Sequence, residues 1–244
     1  MSIKKQKNKK SKQEEDFISI VLLHAPSIGR SKNKKPIGLI KIGNKFLIDR
    51  QIAALKSKFK NCEILISVEC GAKEIHQHVV TKYRGQNIRV VENTTGHLTN
   101  SCETARLCLN NINNEKVMFI DGSLNFDKKV FHNADLSKTF AILNTFEEDS
   151  LDIGVNFDAD KIEFFCYGAS TPWSEIIFFN GRQEIYDLNE LLESEEYKKK
   201  IFFEAINQMA LKHKISKKMN SSQVAKIKNI KTYNKVRSMY EVCD

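Results

Sequence analysis

Apolar residues fall along the chain in short blocks separated by polar stretches. The first block, Phe17 to Leu23 (FISIVLL), is brief, nearly all apolar and partly β-branched, which predicts a buried strand. A polar loop from His24 to Lys35 (HAPSIGRSKNKK) follows, and Pro36, Gly38 and Gly43 keep the chain irregular beyond it. Phe46, Leu47, Ile52 and Leu55 then recur at helical spacing and predict an amphipathic helix over 44–58. The alternation continues with a strand at 62–68 (CEILISV), a helix at 72–83, a strand at 87–92 (NIRVVE), a helix at 100–111 and a strand at 116–120 (KVMFI). Strand, helix, strand with short links predicts an α/β fold, a mostly parallel (mixed) Rossmann-like sheet covered by helices on both faces. Beyond Asp121 the apolar runs at 139–145, 153–157, 161–167 and 175–179 follow one another without helices, predicting an antiparallel extension with a turn at Asp158 to Asp160. Helices are expected at 188–199 and 200–213, a strand at 226–230 and a last helix at 233–240, with no internal repeat.

Composition adds bounds to this picture. A chain of 244 residues with 41% hydrophobic positions, three prolines and ten glycines can bury an ordinary globular core. No apolar run approaches the roughly 20 residues of a membrane span, and the N-terminus lacks the apolar stretch of a secretory signal, so a cytoplasmic location is expected. Six cysteines without a CxxC pair predict reduced, buried side chains. His76 and His78 are two apart and point to different helix faces, which argues against a shared metal. Residues 1–12 carry six lysines and no acid, so six of the nine net charges lie there. Residues 1–16 are therefore predicted to be a disordered basic arm and 17–244 a single domain. The arm suits either a solubilising tail or loose attachment to nucleic acid, an acidic partner or an anionic surface. No aromatic interleaves its lysines, so it supplies no base stacking.

Ligands of parallel sheets bind beyond the carboxyl ends of the strands, which nominates the loops 24–35, 93–101 and 121–127. In the first, Ser27, Gly29 and Arg30 precede Lys32, Lys34 and Lys35. Glycine lets backbone N–H groups approach an anion and the cations compensate phosphate charge, a triphosphate cradle whose plain alternative is a basic surface loop. Asp121 before Gly122 also suits a turn cap, and Asn100 or Ser101 suits a helix N-cap. His24 and His97 are candidate general bases, with solvated histidines as the simpler reading.

The order strand, Gly-and-Arg loop, Pro36-x-x-Leu39, IGNKFLIDRQI (Ile42 to Ile52), strand, helix, strand, ENTTGHLTNSCETAR (Glu92 to Arg106), strand, DGSLNFD (Asp121 to Asp127) resembles the sugar-1-phosphate and phosphocholine nucleotidyltransferases of the GT-A fold. The resemblance spans residues 17–131 and is most specific in Ile42 to Ile52 and Asn93 to Arg106. It implies transfer of a nucleotidyl group from a nucleoside triphosphate to a phosphate-bearing acceptor, with release of pyrophosphate and with Mg²⁺ held by aspartate. It further implies catalytic roles for Arg30 and Asp121, Asp121 also as metal ligand, and nucleotide contacts from Ala25, Ser27, Gly29, Arg30, Lys35, Asn93, Asn100 and Ser101. Glu204 and Lys231 would serve the acceptor.

Four departures stand against that pattern, two of them at the positions that would bind the metal. Ala25, Pro26 and Ser27 stand where two small residues and a glycine are expected, and Ile37 replaces the lysine of a Pro-Lys-x-Leu motif. Ser123 replaces the second Asp of an Asp-Gly-Asp motif, leaving Asn125 and Asp127 as the nearby oxygens. Lys231, in Ile230-Lys231-Thr232, stands where the family places a metal-binding aspartate, and a cation there repels a metal but can neutralise phosphate directly. Two further readings follow: a non-catalytic GT-A binding or assembly module with an eroded site, and a GT-A glycosyltransferase using a nucleotide sugar.

Overall fold

The computed structural model describes residues 17–24, 35–145 and 151–241. The basic arm and the loop positions Ala25, Ser27, Gly29 and Arg30 lie outside the described residues. The first half runs β1 (Ile18–Leu23), β2 (Lys41–Ile42), β3 (Lys45–Phe46), α1 (Leu47–Lys58), β4 (Cys62–Val68), α2 (Ala72–Lys82), β5 (Ile88–Glu92), α3 (Ser101–Leu109), β6 (Lys116–Asp121) and β7 (Leu124–Phe126). The second half continues with β8 (Phe140–Asn144), β9 (Ile153–Asp158), β10 (Lys161–Tyr167), β11 (Thr171–Asn180), α4 (Arg182–Glu193), α5 (Phe202–Lys212), β12 (Ser216–Asn220), β13 (Val224–Lys226) and α6 (Ile230–Glu241).

Nine strands form one mixed sheet in the order β5-β4-β1-β6-β11-β8-β12-β10-β9. β5, β4, β1 and β6 are parallel, whereas β11 runs antiparallel to both β6 and β8. β1 shows why one short apolar run can fill two cores. Ile18, Ile20 and Leu22 face α1 and α2, while Val21 and Leu23 face the side covered by α3, α4 and α5, the period-2 alternation of a strand. A smaller cluster packs Val236 of α6 on Ile37, Ile42, Leu47 and Ile227. The five cysteines among the described residues are free, with Cys62, Cys102 and Cys108 buried. Among the described residues no helix is long and apolar enough to cross a membrane.

Several elements depart from the sequence expectation: the strand expected at 226–230 is β13 at Val224–Lys226, and α6 starts earlier than expected, at Ile230. α4 begins at Arg182 instead of Leu188, because its first turn is polar and only Leu188 and Leu192 are fully buried. β12, SKKMN, carries no apolar run, yet it is a parallel partner of β8 in the interior of the sheet. Its buried polar ends are satisfied sideways, with Asn220 Nδ2 donating to Asn144 Oδ1 at 2.9 Å.

α1 and α2 are joined by a buried carboxylate. Asp49, 4% exposed, accepts from Tyr83 Oη at 2.6 Å and Lys82 Nζ at 2.7 Å and lies 2.8 Å from His78 Nε2. Burial opposes its charge, but these three partners outweigh burial and hold its carboxyl below the ordinary value. A depressed carboxyl stabilises the fold above the unfolded-state pKa and loses that contribution as pH falls through the folded value. Asp49→Asn is therefore expected to cost about 3 kcal/mol at neutral pH, a drop of roughly 6–12 °C in Tm for a chain of this size. In thermal melts at a series of pH values, the gap between the two proteins should close below about pH 4. A gap that stays constant into acid would refute the assignment.

Candidate functional site

The chain places β4 and β5 on one side of β1 and returns to place β6 on the other, so the strand order reverses at β1. A crevice at the carboxyl ends is expected at that point, and the structure has a cavity of about 450 Å³ there. His24 follows β1, Glu69 follows β4, Asp121 ends β6, and Asn100, Ser101 and Thr104 come from the start of α3; all line the cavity. The opposite wall is built by Trp173 and Glu175 of β11, Lys226 of β13, Tyr167 of β10 and the Ile201-Phe202-Phe203 start of α5.

Within the cavity lining an ammonium is held between two acids. Lys226 Nζ lies 3.0 Å from Asp121 Oδ2, 2.8 Å from Glu175 Oε1 and 2.7 Å from Glu175 Oε2. The other oxygen of Asp121 accepts from the Ser123 hydroxyl and, at 2.7 Å, from its backbone N–H. Asp121 thus caps its own Asp-Gly turn and also faces the cavity. Glu175 reaches this position from an irregular point in β11, where the register with β8 shifts between Trp173 and Ile177 and Glu175 itself has φ +53°. A non-glycine residue there costs about 1–3 kcal/mol.

The environments drive the two acids apart. Burial disfavours charge on Asp121, yet Lys226 and the Ser123 donors outweigh it and hold the carboxyl below its ordinary value. Burial and then the neighbouring charge of Asp121 push Glu175 up to about 8, against the pull of Lys226. The two carboxylates raise Lys226, so it stays charged. Glu69 is also raised by burial, in part offset by Thr104 Oγ1, which donates to it at 3.1 Å. Burial holds His24 down to about 4, more strongly than Asp121 raises it, so the ring is neutral at pH 7. Neither of its nitrogens has a hydrogen-bond partner among the described residues.

Two glycines permit this close assembly. A Cβ at Gly122 would fall 2.7 Å from the His24 ring, and one at Gly96 would fall 2.8 Å from Glu69 Cγ.

Of the other nominated residues that the structure describes, Asn100 and Ser101 line the cavity and the rest lie off its wall. Asn93 is buried and organises its loop: its oxygen accepts from Thr95 N at 3.1 Å and Thr95 Oγ1 at 3.0 Å, and its amide donates to Thr99 and Thr104 hydroxyls at 3.2 and 3.0 Å. Asn100 caps α3 through Ser101 N at 2.8 Å, and Ser101 Oγ accepts from Phe202 N at 2.9 Å, tying α3 to α5. Glu204 closes the start of α5, accepting from Ile201 N at 2.8 Å, and is not part of the cavity wall. Lys35, His97 and Lys231 are exposed and off the wall. The lysine beside Asp121 is Lys226 instead of Lys231, since β13 ends before α6 begins at Ile230. Asn125 is engaged by Arg50 at 3.2 Å and Tyr240 at 3.0 Å, and Asp127 caps the turn at Lys129. Sequence reasoning did not single out Glu69, Glu175, Lys226 or Trp173; the carboxyl-end rule would have found Glu69, the residue following β4.

The donor set does not fit Mg²⁺. Three of the four oxygens of Asp121 and Glu175 face the Lys226 ammonium, and the fourth is taken by Ser123. A divalent ion about 4 Å from an ammonium is repelled by about 8 kcal/mol even at an effective dielectric of 20. Among the described residues no group of three or more His, Cys, Asp or Glu is placed to hold a metal.

No family model matches the sequence, and no curated protein matches it. Solved structures do match in three dimensions. The CTP:phosphocholine cytidylyltransferase from Streptococcus pneumoniae is 18% identical with a TM-score of 0.74, covering 91% of this chain and 98% of its own. The nucleoside-diphosphate-sugar pyrophosphorylase from Vibrio cholerae RC9 is 11% identical with a TM-score of 0.71, covering 90% of this chain and 99% of its own. The inositol-1-phosphate CTP transferase from T. maritima is 13% identical with a TM-score of 0.69, covering 92% of this chain and 96% of its own. The fold of this chain is the nucleotidyltransferase fold.

Proposed function

We propose that this chain is a nucleotidyltransferase-like protein whose cavity receives a small phosphate-bearing acceptor of the phosphocholine type, with the nucleoside triphosphate met by the basic loop after β1. The observation that carries this reading is the make-up of the described cavity wall. Glu69, Asp121, Asp152 and Glu175 line it together with Trp173, Tyr167 and Phe202, and Lys226 is the one cation among its described residues. Ionised acids beside aromatic faces attract an alkylammonium group, which gains about 0.5–2 kcal/mol from a ring face; Glu175, pushed up to about 8, contributes little of that charge at neutral pH. A second anionic end finds only Lys226 within the cavity. The likeness to the phosphocholine cytidylyltransferase supports the same acceptor class.

A second reading, a ligand-binding module without turnover, is favoured by one feature. Lys226 neutralises the carboxylate on which metal-assisted transfer would rely. The two readings part in an assay of pyrophosphate release with CTP, UTP, GTP or ATP and phosphocholine. Transfer predicts release with one nucleotide and a loss of at least about 100-fold in Asp121→Asn, the scale for removing a charge-stabilising group. The module predicts no release although phosphocholine raises Tm.

The acceptor class is tested separately. Choline and phosphocholine should bind in calorimetry, and Tyr167→Ala should weaken both about tenfold; Tyr167 is 60% exposed, so its loss should not unfold the chain. Binding of glucose 1-phosphate but not phosphocholine, unaffected by that substitution, would sink the acceptor assignment.

A further inference from the structure

The placement of Lys226 is built into the backbone. β13 pairs with β7 so that Lys226 stands opposite Leu124, and the next residue, Ile227, donates its N–H to Ser123 O at 3.0 Å. These contacts fix the lysine stem against the turn that carries Asp121. On the other side, Glu175 adopts a sparsely populated backbone conformation within its strand, with φ +53°, and presents both oxygens to the ammonium. An ammonium has three N–H donors, and three carboxylate oxygens lie 2.7 to 3.0 Å from Nζ. Two acids converging on one point, one through a single oxygen and one through both, is the arrangement that would otherwise coordinate a metal ion.

We propose that Lys226 is the resident cation of this site, occupying the point between Asp121 and Glu175 and turning divalent ions away from them. A phosphate entering the cavity is met by a covalently attached monovalent charge. That last consequence rests on the reading of the cavity as a site for phosphate-bearing ligands; the exclusion of metal does not. The ammonium is a compact, strongly hydrated point charge suited to phosphate contact, and it lines the cavity.

Mn²⁺ is a probe of the exclusion, read by the electron paramagnetic resonance signal of the free ion with the full chain. The wild-type protein should bind no Mn²⁺ that Asp121→Asn removes. Lys226→Ala should gain one Mn²⁺ per chain, lost again when Asp121→Asn is added, whereas Lys226→Arg should exclude the ion as the wild type does. Should Lys226→Ala fail to fold, the wild-type comparison with Asp121→Asn and the behaviour of Lys226→Arg still decide. Stoichiometric Mn²⁺ binding by the wild type that depends on Asp121 would overturn the proposal, as would Lys226→Ala folding normally and binding none. A calorimetric arm with inorganic pyrophosphate in EDTA tests the ligand reading independently. Binding there, reduced at least tenfold in Lys226→Ala, supports both. Exclusion of Mn²⁺ with no pyrophosphate binding supports the resident cation and refutes the phosphate-bearing ligand.

Discussion

The contact among Lys226, Asp121 and Glu175 joins three parts of the chain that are far apart in sequence, and the walls of the cavity are organised around it. Asp121 arrives at the end of a parallel strand, Glu175 at an irregularity in an antiparallel one, and Lys226 on a short strand that pairs with the turn after Asp121. A buried charge is tolerated only when paired and hydrogen-bonded, so none of the three can be placed without the others. Desolvating two acids beside one base also decides protonation. The acid with backbone and hydroxyl donors keeps its charge, and the other, buried without such donors, holds its proton more strongly. Environments that separate two carboxyl groups in this way assign them different electrostatic roles.

Much of the scaffold was legible because its period is local. The alternation in Phe17 to Leu23, the helical spacing of Leu47, Ile52 and Leu55, and the run Cys62 to Val68 each report on burial by neighbours within one element. β12 was not legible, since SKKMN lies inside the sheet only because β8 and β10 flank it, and its asparagine finds its partner on another strand. The site divides in the same way. Asp121 was readable from its position after an apolar run, and the three nominated loops each send at least one residue to the cavity, His24, Asn100 and Asp121 among them. Glu175 carries no local signal, because the turn that aims it is an irregularity in a strand that otherwise reads as uniform. Lys226 carried no such signal, because the family resemblance placed the C-terminal site residue at Lys231, in Ile230-Lys231-Thr232, five positions further on.

Charge is divided unequally between the sequence that follows β1 and the wall of the cavity. The loop from His24 to Lys35 contains Arg30, Lys32, Lys34 and Lys35 and no acid, and its first residue, His24, is part of the cavity wall. The wall itself carries the acids Glu69, Asp121, Asp152 and Glu175 against Lys226, with Glu175 holding its proton up to about pH 8 and Asp152 further paired to Lys228 at 2.7 Å. A uniformly anionic ligand is opposed by the ionised acids of the wall and meets only Lys226 in its favour among the described residues. A ligand that is anionic at one end and cationic or neutral at the other can turn each end to the charge that suits it. Complementarity of that kind sets orientation more than raw affinity. A neutral imidazole suits this wall: protonated, His24 would add a second buried cation to a cavity that already holds Lys226, and burial prevents this down to about pH 4.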